Sequence, residues 1–520
     1  MSAWVSEVKV RVSFDERRVD PRRAERRFVA RERSRPPSID ATLKPMSLLV
    51  VTLPMSIEST NPATGETVET YEEDSSADRD EALEQAEAVF DEWRQVPIED
   101  RQAMLTRAGE RLRENESTYA ELMTAEMGKP IAQSRAEVEK CAWLCDYYAE
   151  HAAEHLQDER IATEADARTL VSYEPIGTVI AIMPWNFPFW QAFRFAVPNL
   201  AAGNVGILKH ASNVPGCARA IEEVFREAGC PEGAFTSLLI GSDEIDEVIA
   251  DDRIKAVTLT GSSGAGRSVA ETAGSELKKT VLELGGSDPF VVLDDADLEL
   301  AVEKGTQARL INSGQSCIAA KRFIVVEDVY DEFLEAFVER MDEQVVGDPT
   351  DEETDVGPQA REDLLETLDE QVQETVEQGA ECHIGGEPMD REGAFYPPTV
   401  LSDIPAGSPA DQEELFGPAA TVFRVPDEEA AIEKANDTQF GLGASVWTED
   451  YARGERVARR FESGMAFVNE LVKSDPRLPF GGVKASGYGR ELAEEGIREF
   501  LNEKTIWVQH QNGEDDGLVE

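Results

Sequence analysis

The sequence predicts an α/β protein with a doubly wound parallel sheet in one domain, a second α/β domain after it and a small additional sheet. Short apolar segments alternate with amphipathic segments of about ten to fifteen residues, which is typical of βαβ units. The alternation restarts after Gly286, and this restart indicates the second domain. Two extended segments, residues 168–173 and 505–509, fit neither domain. We expect them to pair with each other as a protruding sheet that recruits another subunit.

Two long amphipathic helices are predicted to open the folded chain. Apolar side chains recur three and four residues apart over residues 77–93, and a similar pattern covers residues 98–127. The first sheet is assigned the strands 178–183, 205–209, 256–259 and 280–284, with helices that begin near Pro215 and Gly264. The second domain is assigned the strands 290–293, 323–326, 419–423 and 443–447, with helices over residues 298–310 and 330–341.

Composition excludes several classes of protein. A chain of 520 residues with 41% hydrophobic residues has enough material for two or three domains with real cores. The most apolar run near the N-terminus, residues 48–54, is far shorter than the about 20 residues that span a bilayer, so we expect a soluble protein. A net charge of −53 repels phosphate backbones and anionic lipids, which argues against nucleic-acid and membrane partners.

The acidic residues are spread through the whole body of the chain, which has 104 Asp and Glu but only 14 Lys. Concentrated salt would screen the repulsion among so many carboxylates, so this composition predicts a protein from a halophile. The first 54 residues differ, because their net charge is +5 and they show little periodicity. Carboxylates such as Glu7 and Asp15 argue against a transit peptide. We expect residues 1–54 to be disordered or a start-site artefact, with Met55 opening the folded chain.

The six cysteines form no Cys-x-x-Cys pair, which favours a reducing cytoplasm over a disulfide framework. His151 and His155 lie four residues apart on a predicted helix, where two ligands could face one zinc ion. No third ligand is placed to complete such a site, so we interpret the pair as an exposed helix face and expect no metal.

Four motifs carry candidate chemistry. Cys317 ends the run Asn-Ser-Gly-Gln-Ser-Cys, and a thiolate there could attack a carbonyl, although a lone cysteine is more often a small buried side chain. Glu283 precedes two glycines at a strand end, where a mobile carboxylate suits a general base. Asn186, in the turn Met-Pro-Trp-Asn-Phe-Pro, could donate to an oxyanion or could simply form the turn. The run 259–266, Leu-Thr-Gly-Ser-Ser-Gly-Ala-Gly, leads into a helix and suits a pyrophosphate, and Lys209 ends another strand.

The order of these motifs along the chain indicates a protein family, although no single motif is specific enough to do so. They are followed by the runs 414–418, Glu-Leu-Phe-Gly-Pro, and 479–487, Pro-Phe-Gly-Gly-Val-Lys-x-Ser-Gly. Taken in their order along the chain, these motifs resemble the aldehyde dehydrogenase superfamily over residues 57–510. The resemblance implies a cofactor domain (residues 55–158 and 175–283), an oligomerisation segment (159–174 and 500–520) and a catalytic domain (284–499). It also implies a homodimer or homotetramer that oxidises aldehydes to carboxylates with NAD or NADP.

The resemblance also implies roles for individual residues. Cys317 matches the nucleophile, Glu283 the general base, and Asn186 together with the Cys317 backbone N–H the oxyanion hole. The matched cofactor-binding positions are Pro184, Trp185, Lys209, Ser212, Gly261, Ser262, Gly285, Glu414 and Phe416. Ser212 stands where NAD-preferring members have a glutamate, and the loss of that carboxylate makes the 2′-phosphate of NADP admissible.

The resemblance is strongest to bacterial succinate-semialdehyde dehydrogenases. Arg194 falls where those enzymes place an arginine for the substrate's distal carboxylate, although an arginine there could equally cap helix carbonyls. A second arginine that many of them carry six residues before the nucleophile is replaced by Ile311, and Ala319 replaces a second cysteine. The alternatives are another ω-carboxylated aldehyde such as 2,5-dioxopentanoate, a small neutral aldehyde, or a catalytically silent scaffold. The intact candidate residues argue against the scaffold.

Overall fold

A computed structural model describes residues 56–164 and 167–509. The extension predicted for residues 1–54, the start predicted at Met55 and the last part of the predicted segment 500–520 lie outside these ranges. Within the described residues, no helix is both long enough and apolar enough to cross a membrane.

Helices and strands alternate along most of the described chain. The α-helices are α1 Ser76–Trp93, α2 Ile98–Glu114, α3 Glu116–Met127, α4 Ile131–His155, α5 Pro188–Ala202, α6 Pro215–Glu227, α7 Ile245–Ala250, α8 Ser263–Ser275, α9 Leu298–Leu310, α10 Glu327–Asp342, α11 Glu362–Glu377, α12 Pro409–Gln412, α13 Glu428–Asn436, α14 Tyr451–Ala458 and α15 Ala493–Arg498. The strands are β1 Ser56–Thr60, β2 Thr67–Glu72, β3 Glu159–Arg160, β4 Ala167–Pro175, β5 Thr178–Met183, β6 Val205–His210, β7 Phe235–Leu238, β8 Ile254–Thr260, β9 Lys279–Glu283, β10 Asp288–Val292, β11 Ala320–Val326, β12 Glu381–Ile384, β13 Thr399–Ser402, β14 Ala419–Val425, β15 Ser445–Trp447, β16 Phe467–Val468, β17 Gly487–Tyr488 and β18 Leu501–Gln509.

The first sheet is the predicted doubly wound sheet. Its order is β17-β9-β8-β5-β6-β7, and the strands from β9 to β7 are parallel. The chain runs outward from β5 to β6 and β7, and then returns to the other side of β5 to form β8 and β9. Such a reversal leaves a crevice at the carboxyl ends of β5 and β8, where open α/β sheets bind their ligands. Every residue of β6 is buried, as expected for a parallel strand covered on both faces.

A second sheet follows the first along the chain, with the order β12-β13-β14-β11-β10-β15-β16, and it is parallel apart from the antiparallel β12–β13 pair. One strand from this half of the chain belongs to the first sheet, because β17 pairs antiparallel with β9. The segment assigned to residues 284–499 therefore contributes to both sheets, and the proposed domain boundaries stay a prediction.

The two extended segments that fitted neither domain pair with each other, as predicted. Strand β18 lies antiparallel to β4 over nine residues, from Leu501 opposite Pro175 to Gln509 opposite Ala167, and β3 adds a short third strand. Their pairing is confirmed, whereas the recruitment of another subunit stays a prediction.

The prediction that two long helices open the folded chain is wrong in two respects. A hairpin of β1 and β2 precedes α1. Burial alternates along β1, but one of its two buried residues is the polar Ser59, and β2 is almost wholly exposed, so neither strand shows an alternation of apolar and polar residues in the sequence. The second predicted helix is divided at Asn115, which leaves the helical conformation with φ −116° and ψ 20°. The Asn115 side chain donates to the Arg111 carbonyl oxygen at 3.0 Å, a local bond by which asparagine competes with the helix.

Candidate active site

The carboxyl ends of four neighbouring parallel strands bring most of the predicted cofactor residues together. Pro184, Trp185 and Asn186 follow β5. Lys209 is the second-last residue of β6, and Ser212 lies two residues after the end of that strand. On the other side of β5, the predicted residues after β8 and within or after β9 are Gly261, Ser262, Glu283 and Gly285. The sheet order therefore places residues that are up to 101 positions apart in the sequence around one crevice.

Cys317 follows a loop with unusual backbone geometry. Asn312, Ser313 and Gly314 have φ values of 53°, 56° and 77°, so three consecutive residues adopt the left-handed region. This conformation costs about 1–2 kcal/mol for each residue that carries a Cβ, and it persists only where the surroundings hold it. At Gly314 a Cβ would also collide with the Gly417 carbonyl group. The loop is strained immediately before the predicted nucleophile.

Buried hydrogen bonds hold this strained loop. The Asn312 amide donates to the Asn186 carbonyl oxygen at 2.7 Å, and Ser313 Oγ accepts from Gly357 N at 2.8 Å. The guanidinium of Arg309, which is fully buried, donates to the carbonyl oxygens of Gly314, Gly417 and Ala320 at 2.7–3.0 Å. Burial lowers the pKa of Arg309 to about 9. Backbone carbonyls from three segments therefore surround one guanidinium and fix the approach to Cys317.

The predicted oxyanion donor lies against the same loop. Asn186 Nδ2 donates to the Gln315 carbonyl oxygen at 3.0 Å, and its Oδ1 accepts from Gln191 Nε2 at 3.2 Å. Because an amide nitrogen carries two protons, one remains for a ligand once the bond to Gln315 is made. Asn186 is buried, so its orientation is fixed by these bonds.

The Cys317 thiol is protonated in this arrangement. The residue keeps partial exposure, but burial of its thiol raises the pKa to about 12, with the ammonium of Lys321 acting in the opposite direction. Lys321 Nζ donates to the carbonyl oxygens of Ser316 and Cys317 at 2.8 and 2.9 Å. It also lies 3.2 Å from Glu414 Oε1. One buried lysine therefore joins the nucleophile segment to a predicted cofactor residue.

Glu283, the predicted base, is buried and makes no hydrogen bond from either carboxylate oxygen to a described residue. Burial raises its pKa well above the ordinary value, and the nearby carboxylate of Glu491 raises it further, whereas Arg194 and Arg490 act in the opposite direction. A Cβ at Gly481 would lie 2.8 Å from Glu283 Oε1, so a glycine leaves the space that the carboxylate occupies.

The turn after Glu283 packs directly against both Cys317 and Glu414. A Cβ at Gly286 would lie 2.6 Å from the Cys317 carbonyl oxygen, and one at Gly285 would collide with the Glu414 carboxylate. Gly286 N also donates to Glu414 Oε1 at 3.2 Å. Only glycines allow this approach, so the predicted base, nucleophile and nicotinamide-ribose carboxylate belong to one site.

The remaining cofactor residues fit a dinucleotide. Ser262 caps α8, with its Oγ accepting from Ala265 N at 3.2 Å, and a helix N-terminus favours an anion such as a pyrophosphate. Burial lowers the pKa of Lys209, and no described carboxylate lies within 4.0 Å of its ammonium. Ser212 is exposed and lines a cavity of about 770 Å³. The ring centroid of Phe416 lies 5.8 Å from that of Trp185 at an interplanar angle of 89°.

Arg194, the predicted substrate arginine, lies in the second turn of α5 and is buried. Its Nε forms an ion pair with Glu491, and its guanidinium carbon lies 4.4 Å above the Phe480 ring. Its charge acts on the pKa values of both Glu283 and Cys317, so it lies near the reacting groups. The prediction did not include the partner Glu491.

A cavity of about 710 Å³ opens beside this site. Phe187 and Trp190 line it from the start of α5, Lys140 and Gln133 from α4, and Ile311 from the start of the nucleophile loop. Its volume is typical of a small-molecule site. Within the described residues, no group of three or more His, Cys, Asp or Glu side chains is placed to hold a metal ion.

Residues 52–506 match the family described as aldehyde dehydrogenase. The chain belongs to the aldehyde dehydrogenase family. A Synechocystis protein named probable succinate-semialdehyde dehydrogenase [NADP(+)] is 50% identical to this aldehyde dehydrogenase over 454 residues, which are 87% of this chain and 100% of the relative. The Mycobacterium avium succinate-semialdehyde dehydrogenase [NADP(+)] is 49% identical over 466 residues, 89% of this chain and 99% of the relative. Sequence and fold thus agree on an NAD(P)-dependent aldehyde dehydrogenase.

A solved structure of similar fold is the succinic semialdehyde dehydrogenase from Streptococcus pyogenes in complex with NADP+. It superposes with a TM-score of 0.86 at 39% identity, over 87% of this chain and all of that one. The likeness confirms the predicted aldehyde dehydrogenase fold, with two α/β sheets and a small antiparallel sheet.

Three charged residues of this aldehyde dehydrogenase site were missed by the sequence interpretation. Lys321 carries a signal that was available, because it lies four residues after Cys317 in a chain with few lysines. The sequence gives no comparable signal for Glu491 or Lys140. Glu491 is recognised only by its ion pair with Arg194, and Lys140 only by the cavity that it lines, and both features depend on the fold.

Proposed function

We propose that this aldehyde dehydrogenase oxidises succinate semialdehyde to succinate, with Cys317 as nucleophile. The observation that supports the chemistry is the packing of Cys317, Asn186 and the Glu283 turn around one point. The substrate is suggested by the two relatives near 50% identity over almost their whole length, which are named for succinate semialdehyde.

In the first step, the thiolate of Cys317 attacks the aldehyde carbon, and the carbonyl oxygen becomes a tetrahedral oxyanion. The free proton of Asn186 Nδ2 and the Cys317 backbone N–H stabilise that oxyanion. Because the resting thiol has a pKa of about 12, it must lose its proton before or during attack. The ammonium of Lys321 favours the thiolate.

The unpaired Lys209 ammonium and the glycine turn beside Glu414 support a dinucleotide site at the strand ends. Lys209 would bind the adenosine ribose, Ser262 the pyrophosphate and Glu414 the nicotinamide ribose. When bound, NAD(P)+ supplies the acceptor for the hydride that leaves the substrate carbon. Pro184, Trp185, Gly261, Gly285 and Phe416 would form the walls of this site.

Hydrolysis of the Cys317 thioester requires an activated water molecule. Glu283 has no hydrogen-bond partner among the described residues and lies beside glycines, so its carboxylate is free to turn toward the thioester. It accepts a proton from water, and hydroxide attacks the thioester carbon to release the carboxylate product and the thiol.

We expect this aldehyde dehydrogenase to use both NAD+ and NADP+. Ser212 places a hydroxyl, not a carboxylate, at the edge of the adjacent cavity, so a 2′-phosphate meets no repulsion from this position. The relatives named above carry NADP(+) in their names.

The substrate's distal carboxylate is assigned to Arg194, whose ion pair with Glu491 leaves its two terminal nitrogens without a hydrogen bond to a described residue. One observation favours a second candidate function. Ile311 lines the cavity at the position where many succinate-semialdehyde dehydrogenases carry an arginine, and an apolar side chain there suits a neutral aldehyde.

Initial rates with succinate semialdehyde and with butanal, each with NAD+ and NADP+ in molar salt, test this proposal. We expect kcat/KM to favour the acid by at least about 100-fold, as one charged contact and its neighbours supply roughly 3 kcal/mol. Cys317→Ala should abolish turnover of both substrates. Equal rates would restrict the proposal to general aldehyde oxidation, and an inactive wild-type protein would favour the silent scaffold.

The assembly, the compartment and the habitat are further parts of the proposal. Trp507 and Val508 on β18 and Ile161 beside β3 are exposed apolar side chains on the small sheet, and β18 is an edge strand. We propose that this edge pairs with a second copy in a homodimer or homotetramer, which light scattering on native protein would measure.

The six cysteines are free, which supports a location in the cytoplasm. The charge of −53 supports a halophile.

A further inference from the structure

The cavity of about 710 Å³ beside the active site contains a lysine without a counter-ion. Lys140 projects from α4, where its Nζ donates to Ser474 Oγ at 2.7 Å and lies 4.4 Å from the centroid of the Trp190 ring. Both Lys140 and Trp190 line the cavity. Among the described residues, no carboxylate oxygen comes within 4.0 Å of this ammonium.

Two other buried lysines near this site each have a carboxylate partner. Lys129 forms an ion pair with Glu137, and Lys321 forms one with Glu414. Lys209 lacks a carboxylate partner, but it is assigned to the proposed cofactor site. Burying a charge without a partner is costly, so an unpaired and partly buried ammonium that lines a cavity is a candidate ligand contact. Lys304 lines the same cavity without a described carboxylate within 4.0 Å and donates to Gln307 Oε1 at 3.2 Å. Lys140 differs from it in its contacts with the Trp190 ring and the Ser474 hydroxyl.

The cavity lining also carries the carboxylates of Glu137, Glu303, Glu352 and Asp355, and none of them lies within 4.0 Å of the Lys140 ammonium. Arg194 lies close enough to act on Lys140, and its charge is balanced by Glu491. Glu137, on the same helix as Lys140, is already occupied, because it accepts from Phe189 N and Trp190 N and pairs with Lys129. Asp475 is also within electrostatic range, but its carboxylate binds Arg477 at 2.6 Å.

We propose that Lys140 is a specificity-determining residue whose ammonium, together with the Ser474 hydroxyl, binds the distal carboxylate of an ω-carboxylated aldehyde. Many succinate-semialdehyde dehydrogenases carry a second cation, an arginine, at the position of Ile311. Lys140 would supply this second cation from α4. The proposal rests on the proposed function, because it names a contact for that function's substrate. It adds a residue that the family resemblance did not assign.

The protonation of Lys140 gives the proposal a second readout. Burial lowers the pKa of Lys140 to about 8, and the positive charge of Arg194 contributes to this, whereas Cys141, Glu137 and Asp475 act in the opposite direction. Below that pH the ammonium is charged and binds a carboxylate, and above it the charge is lost. The ratio of kcat/KM for succinate semialdehyde to kcat/KM for butanal should therefore fall as pH rises through about 8. The ratio removes any pH effect that the two substrates share, including those of Cys317 and Glu283.

The decisive variant is Lys140→Met, which keeps the length of the side chain and its contact with Trp190 but removes the charge. We expect kcat/KM for succinate semialdehyde to fall about 30-fold, mainly through KM, because a hydrogen bond to a charged group is lost. We expect kcat/KM for butanal to stay within about threefold of wild type, which also shows that the variant folds. Lys140→Arg should recover much of the acid preference and shift the fall of the ratio to higher pH.

Lys304→Met is the matched control, because Lys304 lines the same cavity and is partly exposed. It should leave both the acid preference and the fall near pH 8 unchanged. If wild-type protein prefers the acid and Lys140→Met keeps that preference, the inference about Lys140 is wrong and the proposed function stands. If wild-type protein shows no preference for the acid, the proposed substrate itself is wrong.

Discussion

At the residue scale, the two groups assigned to the chemistry share one electrostatic property. Burial raises the pKa of the Cys317 thiol to about 12 and raises the pKa of the Glu283 carboxyl well above its ordinary value. Each group reacts in its deprotonated form, which becomes more populated as pH rises toward its pKa. We therefore expect both kcat/KM and kcat for butanal to rise with pH through the neutral range, because attack by Cys317 contributes to kcat/KM and hydrolysis assisted by Glu283 contributes to kcat. A profile that falls over this range would contradict the assignment of either group.

The separate roles of these groups can be distinguished by Glu283→Gln. The amide keeps the size of the side chain but accepts no proton, so attack by Cys317 proceeds while hydrolysis of the thioester slows by about 10²- to 10⁴-fold. Stopped-flow absorbance should show a burst of NADPH close to one equivalent per active site, followed by a slow steady state. Glu499→Gln is the control, because Glu499 influences the pKa of Glu283 from a distance and pairs with Lys279. Steady turnover of Glu283→Gln near the wild-type rate would exclude Glu283 as the base.

At the element scale, helix α5 depends on a neighbouring helix for its N-terminus. It has no side-chain cap of its own, and Phe189 N and Trp190 N both donate to Glu137 Oε1 of α4 at 2.9 Å. The same carboxylate pairs with Lys129, whose ammonium lies 3.9 Å from the Phe187 ring centroid. Asn186 is the residue immediately before Phe187. The buried pair Lys129–Glu137 therefore fixes both the start of α5 and the turn that carries the oxyanion donor.

Glu137→Gln should weaken this junction and lower activity together. The substitution leaves the Lys129 ammonium buried without a counter-charge, and loss of one partner of a buried pair costs about 3–5 kcal/mol of unfolding free energy. Urea unfolding followed by circular dichroism measures this loss, and kcat should fall because Asn186 is less well oriented. Glu139→Gln, on the exposed face of α4 where Glu139 pairs with Arg113, should change stability by less than about 1 kcal/mol. Equal effects of the two substitutions would contradict this account of α5.

The elements that the sequence predicted correctly are those whose own residues determine them. Strand 178–183 and helix 298–310 are found at the predicted bounds, because apolar runs and periodicity arise within the segment. Helix α5 was not predicted, since every one of its residues is buried and it has no polar face to reveal its period. Ordered motifs also located the candidate catalytic residues. The left-handed run at Asn312 and the ion pair of Arg194 with Glu491 could not be predicted, because they depend on contacts between distant segments.

At the scale of the whole molecule, the net charge of −53 opposes folding more than individual ion pairs support it. Some surface arginines do bind several carboxylates, as Arg453 does with Asp294, Asp295 and Glu428 at 2.6–2.9 Å. Such surface pairs contribute about 0–1 kcal/mol each, and salt weakens them. Repulsion among unpaired carboxylates acts over the whole surface, and salt weakens it as well. With 104 acidic against 51 basic residues, screening should remove more repulsion than attraction.

This balance predicts that salt stabilises the protein. The midpoint of thermal unfolding, measured by differential scanning fluorimetry, should rise by at least about 5 °C between dilute buffer and molar KCl, which corresponds to a gain of roughly 5 kcal/mol for a chain of this size. Sucrose at equal osmolality is the control, because it stabilises compact states by exclusion without screening charge. If KCl and sucrose raised the midpoint equally, the effect would not be electrostatic, and the acidic composition would carry no information about habitat. A midpoint that falls in KCl would mean that ion pairs such as those of Arg453 outweigh the repulsion.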